Sequence, residues 1–190
     1  MNALNASFIL GYHGCDRTVG EELINGKEFK HSENSFDWLG SGIYFWEANP
    51  ERGLEFAQEQ EKRAHKQGNK YDPWVIGAAI DLGFCLDLTT KISAEHLRIV
   101  YNSFISLTKK QEYKLPVNKP GLHKLDCAVI NHLHDIRAKS KQPPFDSVKG
   151  AFIEGDPIYQ NSMFRGKTHL QICVRNADCI KGVFRVKGFL

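Results

Sequence analysis

The chain lacks an apolar run of the roughly 20 residues that a membrane-spanning helix requires. Its first residues, 1–8, contain no basic segment followed by an apolar stretch, so we expect no signal peptide. Repeats, low-complexity tracts and a linker long enough to separate two large domains are also absent. These absences favour a single catalytic or binding domain over residues 1–190, cytoplasmic and without a membrane partner.

The cysteines lack the pattern of a disulfide framework, because there are five of them and none forms a CxxC pair. A short secreted chain would normally carry an even set. A metal site is also disfavoured. Cys127, His132 and His134 are close in sequence, but two histidines two positions apart on a helix point about 200° apart. We therefore expect no metal.

The charge is also too small to indicate a nucleic-acid partner, since the formal net charge is +3. Hydrophobic residues make up 42% of the chain and charged residues 25%, which is ordinary globular usage and disfavours disorder. Basic residues cluster at 62–70 and 137–141. Cations at a helix C-terminus complement the helix dipole, so each cluster is either a solvated helix end or a patch that contacts phosphates.

The residue patterns predict an α+β domain with a mostly antiparallel sheet. Alternation and β-branched or aromatic content predict strands or extended segments at 8–13, 42–46, 74–81, 84–88, 147–154, 168–175 and 180–186. Helical spacing and cap residues predict helices at 18–25, 50–67, from 93 onward and at 122–140. Residues 91–142 therefore form a helical insertion within the sheet.

Three segments place polar or aromatic groups where a fold gains little from them. They are Tyr12-His13-Gly14, Gly40-Ser41-Gly42-Ile43-Tyr44-Phe45 and Gln171-Ile172-Cys173-Val174. Each has a purely structural interpretation. A histidine at a strand end is usually a satisfied core residue, Gly-x-Gly before a strand is usually a turn, and a glutamine in a strand may simply face solvent.

In this order, the three segments resemble the ADP-ribosyltransferase superfamily in its PARP-like, diphtheria-toxin-like branch. That branch has a histidine followed by glycine on the first strand, a tyrosine in a Gly-Ile-Tyr-Phe strand, and usually a glutamate on a late strand. The resemblance covers both ends of the chain and leaves residues 62–150 mostly unmatched. It implies a split β-sheet with flanking helices, and NAD as the substrate.

The resemblance also implies roles for individual residues. Gly14 is expected to grip the nicotinamide carboxamide through its backbone, and His13 to bind a ribose hydroxyl of the adenosine half of NAD. Tyr44 is expected to stack on nicotinamide and Phe56 to cover the opposite face of the ring. Ser41 belongs to the same matched segment and is included among the NAD-binding residues.

The third position of the pattern holds Gln171, where the family usually has glutamate. Glutamine forms hydrogen bonds but provides no negative charge and no general base, so synthesis of a polymer is not expected. Three alternatives stay open: the acceptor brings its own nucleophile, a carboxylate at Glu154 or Asp156 substitutes, or the site only binds NAD. Glu154 is the preferred substitute. The alternative is that it is an ordinary turn carboxylate.

The leading hypothesis is a mono-ADP-ribosyltransferase whose acceptor is a protein or a nucleic acid. Fold analogy alone suggests a microbial toxin or defence effector, with an inhibitory partner left open. The alternative from another class is a catalytically inactive module that binds NAD or ADP-ribose. RNA 2′-phosphotransferases share the architecture, but the arginines they need have no counterpart that we can identify here.

Overall fold

A computed structural model describes residues 7–189, and this part of the chain folds as an α+β domain around one seven-stranded mixed sheet. In chain order, its elements are β1 (Ile9–Asp16), α1 (Arg17–Ile24), β2 (Ile43–Glu47), α2 (Pro50–Lys66), β3 (Pro73–Ile80), β4 (Cys85–Asp87), α3 (Lys91–Lys110), α4 (Lys124–Lys139), β5 (Ser147–Phe152), β6 (His169–Val174) and β7 (Ile180–Arg185). A single 3-10 turn, Ala177–Cys179, precedes β7.

The strands follow the order β4-β5-β6-β2-β1-β3-β7. All neighbouring pairs are antiparallel except β4 and β5, which run parallel. The prediction of a mostly antiparallel α+β domain is confirmed. Helices α3 and α4 form the chain's connection between β4 and β5, where the helical insertion was predicted.

Strand β1 is longer than the sequence predicted. We expected it to stop at His13, but it pairs with β3 in register from Ile9 opposite Ile80 to Asp16 opposite Pro73. Strand β3 is almost entirely buried, so it provides a continuous partner that holds β1 in the extended conformation beyond Gly14.

Two layers of core lie against the sheet. Helices α3 and α4 pack with β5 and β6 around a cluster that includes Val129, Leu133 and Val148. The leucine and valine positions of α4 recur at helical spacing, as the sequence predicted. A second cluster includes Phe45, Ile80 and Ile172. Neighbouring residues of β2 therefore have opposite surroundings, since Phe45 belongs to this second cluster while Tyr44 packs against the first.

Local caps explain where two helices begin. The Asn49 side chain accepts a hydrogen bond from the Arg52 N–H at 3.0 Å, which starts α2 at Pro50 as predicted. Helix α4 begins at Lys124, two residues later than predicted. The Asn118 Oδ1 caps it by accepting from the N–H groups of Leu125 and Asp126 at 2.8 and 3.3 Å.

Candidate functional site

One cavity of about 710 Å³ lies beside the opening between β1 and β2, a size typical of small-molecule sites. Its walls come from those two strands, from α2, from the loop at residues 30–38, and from the segment just before α4. Six residues predicted from the sequence line it: His13, Gly14, Tyr44, Phe56, Glu154 and Gln171. The structure thus brings together side chains from both ends of the chain.

The opening exists because β1 and β2 pair over only two positions, Gly11 opposite Glu47 and Tyr12 opposite Trp46. If this register continued, Gly14 would lie opposite Tyr44. Instead, the His13 Nδ1 hydrogen-bonds the Tyr44 carbonyl oxygen at 2.8 Å. The imidazole therefore occupies the acceptor that a continued ladder would give to the Gly14 N–H.

The backbone of Gly14 faces this opening. The Leu10 carbonyl accepts from the Ala48 N–H at 2.9 Å, so Leu10 directs its polar groups toward β2. Because these directions alternate along a strand, Gly14 directs its N–H and C=O toward the same side. Among residues 7–189, no hydrogen bond outside the strand ladders involves Gly14.

Gly14 also has a steric reason to be glycine. A Cβ at this position would lie 2.0 Å from the Gly53 carbonyl oxygen and 3.3 Å from the Ala57 nitrogen, both in α2. The absence of a side chain lets α2 pack directly on β1. The same helix carries Arg52 and Phe56 into the cavity wall.

His13 packs against two aromatic rings, with centroids 5.5 Å from Phe29 and 5.6 Å from Phe45. Burial lowers the pKa of His13 below its usual value of 6.5, and the bond to the Tyr44 carbonyl opposes the effect only in part. The ring is therefore neutral near pH 7. Since Nδ1 donates to that carbonyl, Nε2 is left as the acceptor.

The hydroxyl of Tyr44 is fully engaged within the protein. It accepts from the Leu39 N–H at 3.0 Å and donates to the Gly40 carbonyl. Burial raises the pKa of Tyr44 far above its ordinary range, so the phenol stays protonated. Tyr44 therefore contributes to the cavity through its ring, while its hydroxyl holds the preceding loop.

Gln171 lies directly opposite Trp46 in the β2–β6 register, so the two side chains share a face of the sheet. Trp46 in turn packs against Phe56, with centroids 5.0 Å apart. Within the described residues, no hydrogen bond engages the Gln171 side chain, which is half-buried at the cavity wall. Its amide therefore remains available to a ligand.

Glu154 lies just after β5 and contacts two basic groups. Its Oε2 is 3.5 Å from the Arg52 Nη2 and 3.7 Å from the His169 Nδ1. The His169 side chain is only 2% exposed, and its Nδ1 also hydrogen-bonds the Lys167 carbonyl at 2.7 Å. Burial lowers the pKa of His169. Asp156, the other acidic candidate, is exposed and does not line the cavity.

Ser41, which the resemblance places among the NAD-binding residues, does not line the cavity. Its backbone is held from outside: the Ser41 N–H donates to the Asn131 Oδ1 at 3.1 Å, and its carbonyl accepts from the Arg175 Nη1 at 2.7 Å. Helix α4 and the end of β6 thus fix the Gly-Ser-Gly turn. Ser41 supports the loop that Tyr44 also holds.

Sequence reasoning missed many residues of the cavity wall, among them Trp38, Trp46, Arg52 and His123. Trp46 and Arg52 had a local signal, since they flank the predicted start of α2. Trp38 and His123 had none, because they are distant in sequence and meet only in the fold, with ring centroids 3.6 Å apart.

Residues 7–189 contain no group of three or more His, Cys, Asp or Glu side chains placed to hold a metal ion. In the same part of the chain, no helix combines the length and apolar character required to cross a membrane.

The chain is similar to an uncharacterized protein of the archaeon Methanocaldococcus jannaschii, with 27% identity over 184 residues. The match covers 90% of this chain and 83% of the archaeal protein. No family model matches the chain. No solved structure gives a significant match either. The chain is thus similar over nearly its whole length to an archaeal protein whose name states no activity.

Proposed function

We propose that this protein is an NAD-dependent mono-ADP-ribosyltransferase, with a sheet of the ADP-ribosyltransferase type that opens between β1 and β2. The observation that carries the proposal is that opening. The His13 imidazole hydrogen-bonds the Tyr44 carbonyl oxygen, so the Gly14 N–H and C=O face a cavity that Phe56 and Gln171 also line. These groups come from four separate segments, and they are the groups that the sequence resemblance implies.

The chemistry of these groups fits NAD. An N–H and a C=O of one residue complement the C=O and NH₂ of a carboxamide, so Gly14 would bind the nicotinamide amide. The rings of Tyr44 and Phe56 provide aromatic surface for the pyridine ring, at about 1 kcal/mol per stacked pair beyond area burial. The His13 Nε2 accepts a hydrogen bond from a ribose hydroxyl, and the Gln171 amide provides a further contact to ribose.

The reaction breaks the bond between the ribose C1 and the nicotinamide nitrogen through an oxocarbenium-like transition state. The bonding electron pair goes to nicotinamide, which leaves neutral and requires no general acid. A nucleophile of the acceptor then bonds to the same carbon. Gln171 cannot accept the proton that the nucleophile loses. Glu154 would accept it, since this carboxylate lines the cavity and is 30% exposed.

Glutamine at position 171 supports transfer of a single ADP-ribose. Chain extension would require activation of a ribose hydroxyl on the first unit, and an amide cannot act as the base. The same residue favours a second candidate function, a module that binds NAD without turnover. The Arg52 contact gives this candidate further support, because Arg52 already engages Glu154.

The decisive experiment incubates NAD with the purified protein and a cell extract, and measures free nicotinamide by mass spectrometry. We expect release by the wild type and loss of release in His13→Ala and Tyr44→Ala. The matched control is His65→Ala, an exposed histidine in the last turn of α2 outside the cavity, which should retain full activity. Activity in the His13,Tyr44 double variant would refute the proposal. NAD binding by calorimetry without nicotinamide release would favour the binding module.

A further inference from the structure

Two neighbouring residues of the cavity wall carry buried polar atoms that have no hydrogen-bond partner among residues 7–189. Trp38 and His123 meet there edge to face, and Trp38 also stacks on Phe152 with centroids 3.7 Å apart. The Trp38 Nε1 and the His123 Nε2 are both buried, and neither has a hydrogen bond among residues 7–189. Buried polar groups are rarely left in this state, so these two atoms point to a ligand.

The two atoms offer complementary hydrogen-bonding capacity. The Trp38 Nε1 is a donor only. The His123 Nδ1 faces the Asp126 carboxylate at 3.8 Å, and with the proton on that nitrogen the His123 Nε2 is an acceptor. His123 is free for this role because Asn118, and not His123, caps helix α4.

An unpaired donor and an unpaired acceptor on two rings in contact match the edge of a nucleobase, since each base presents adjacent N–H and acceptor groups along its Watson–Crick edge. Phe36, two positions before Trp38, also lines the cavity and is 37% exposed, so it offers an aromatic face on which a base can stack. Stacking of bases on aromatic side chains is typical of proteins that bind single-stranded nucleic acid.

The segment that contains His123 is basic. We define the lysine loop as residues 109–124, which contain one acidic residue, Glu112, and five exposed lysines, Lys109, Lys110, Lys114, Lys119 and Lys124. Within the described chain, none of these lysines forms an ion pair. Gly121 and His123 of the same loop line the cavity, and Lys119 and Lys124 lie within two residues of them in the chain.

The other basic cluster, residues 137–141, lies at the opposite end of α4. A 16-residue helix is about 24 Å long, so this cluster is remote from His123. Its arginine is also engaged: the Arg137 Nε donates to the Pro143 carbonyl at 2.8 Å, and the guanidinium lies over Phe145 at 4.3 Å. The structure thus favours the lysine loop over residues 137–141 as a phosphate-binding surface.

We propose that the acceptor of this protein is single-stranded nucleic acid, held by the lysine loop and placing one base at the Trp38–His123 end of the cavity. This inference rests on the proposed transferase function for its chemistry. The ribose C1 bonds to a nitrogen of the base as its bond to nicotinamide breaks. The electron pair of that bond goes to nicotinamide, and the base N–H proton passes to Glu154 or water.

The test is fluorescence anisotropy of labelled 12-nucleotide RNA and DNA strands, titrated with the full chain at several salt concentrations. We expect binding that weakens with salt, because lysine–phosphate contacts release counterions. Changing Lys114, Lys119 and Lys124 to Ala should reduce the slope of log K against log salt by about 2. The control pair Lys139→Ala and Lys141→Ala should leave binding unchanged.

A second variant tests the base subsite. Trp38→Phe keeps an aromatic ring but removes the Nε1 donor, and we expect about fivefold weaker binding of the strands, the loss of one hydrogen bond. Duplex DNA of the same sequence should bind more weakly than the single strands, because its base edges are paired. Equal binding of duplex and single strand, or no effect of Trp38→Phe, would overturn the base subsite.

Transfer is then tested with labelled NAD. Label on the oligonucleotide would support the assignment of the acceptor, and the RNA and DNA strands tell which nucleic acid is modified. Label only on proteins of a cell extract would overturn it while leaving the transferase proposal intact. Conversely, salt-sensitive binding of the strands without any nicotinamide release would refute the transferase function and retain the nucleic-acid site.

Discussion

Replacing Gly14 with alanine tests the packing that builds the cavity. The added Cβ would lie 2.0 Å from the Gly53 carbonyl oxygen and 2.9 Å from its carbon. Both are backbone atoms, so no side chain can rotate away. The first turns of α2 would have to move by roughly 1 Å or more to restore ordinary van der Waals separation.

The expected cost is about 1–3 kcal/mol in the free energy of unfolding, the range for overpacking a well-filled interior. The displaced helix carries Arg52 and Phe56, so a ligand that contacts them should also bind less well. Misplacement by about 1 Å can reduce catalysis by about 100-fold. Urea unfolding measures the loss of stability, calorimetry with NAD measures the loss of binding, and nicotinamide release measures the loss of catalysis.

The matched control is Gly182→Ala, another strand glycine of the same sheet. A Cβ there meets no atom within 4 Å, so we expect unchanged or slightly increased stability. If Gly14→Ala unfolds at the same urea concentration as Gly182→Ala, the close contact between α2 and β1 is refuted. Gly14 would then owe its identity to a ligand alone.

Two further predictions concern Tyr44 and His134. Tyr44→Phe keeps the ring but leaves the N–H of residue 39 and the C=O of residue 40 without their hydrogen-bond partner. We therefore expect a free energy of unfolding in urea that is lower by about 1–3 kcal/mol, with NAD affinity retained. Equal stability would contradict the role of the hydroxyl. Burial, with Arg175 and Arg137 nearby, lowers the pKa of His134 to about 3 from the usual 6.5. Below about pH 6.5, His134 therefore binds a proton in the unfolded chain but stays neutral in the folded chain. Its contribution to stability is fully present above that pH and is lost as the pH decreases. Between pH 7 and pH 5, His134 should lower the free energy of unfolding in urea by about 2 kcal/mol, and His134→Leu should not show this loss. Identical losses in both proteins would refute the prediction.

Local sequence alone determined most of the elements, because each depends on neighbours in the chain. The cap at Asn49 with Pro50 at the first position fixed the start of α2. Alternating apolar residues gave the strands around Tyr44 and Gln171. The type of fold followed from the same order of elements. Where the sequence failed, at the ends of β1 and α4, the deciding partner was distant: β3 extends β1, and Asn118 caps α4.

The candidate site required the tertiary structure. The sequence singled out His13, Gly14, Tyr44 and Gln171 by resemblance, but only the register of β1 against β2 leaves the Gly14 backbone facing the cavity. Only the packing of α4 places Asn131 where it accepts a hydrogen bond from the Ser41 N–H. Likewise, Trp38 and His123 are 85 positions apart and meet only in the fold. Contacts between distant residues depend on how whole elements pack, and a local sequence pattern does not determine that packing.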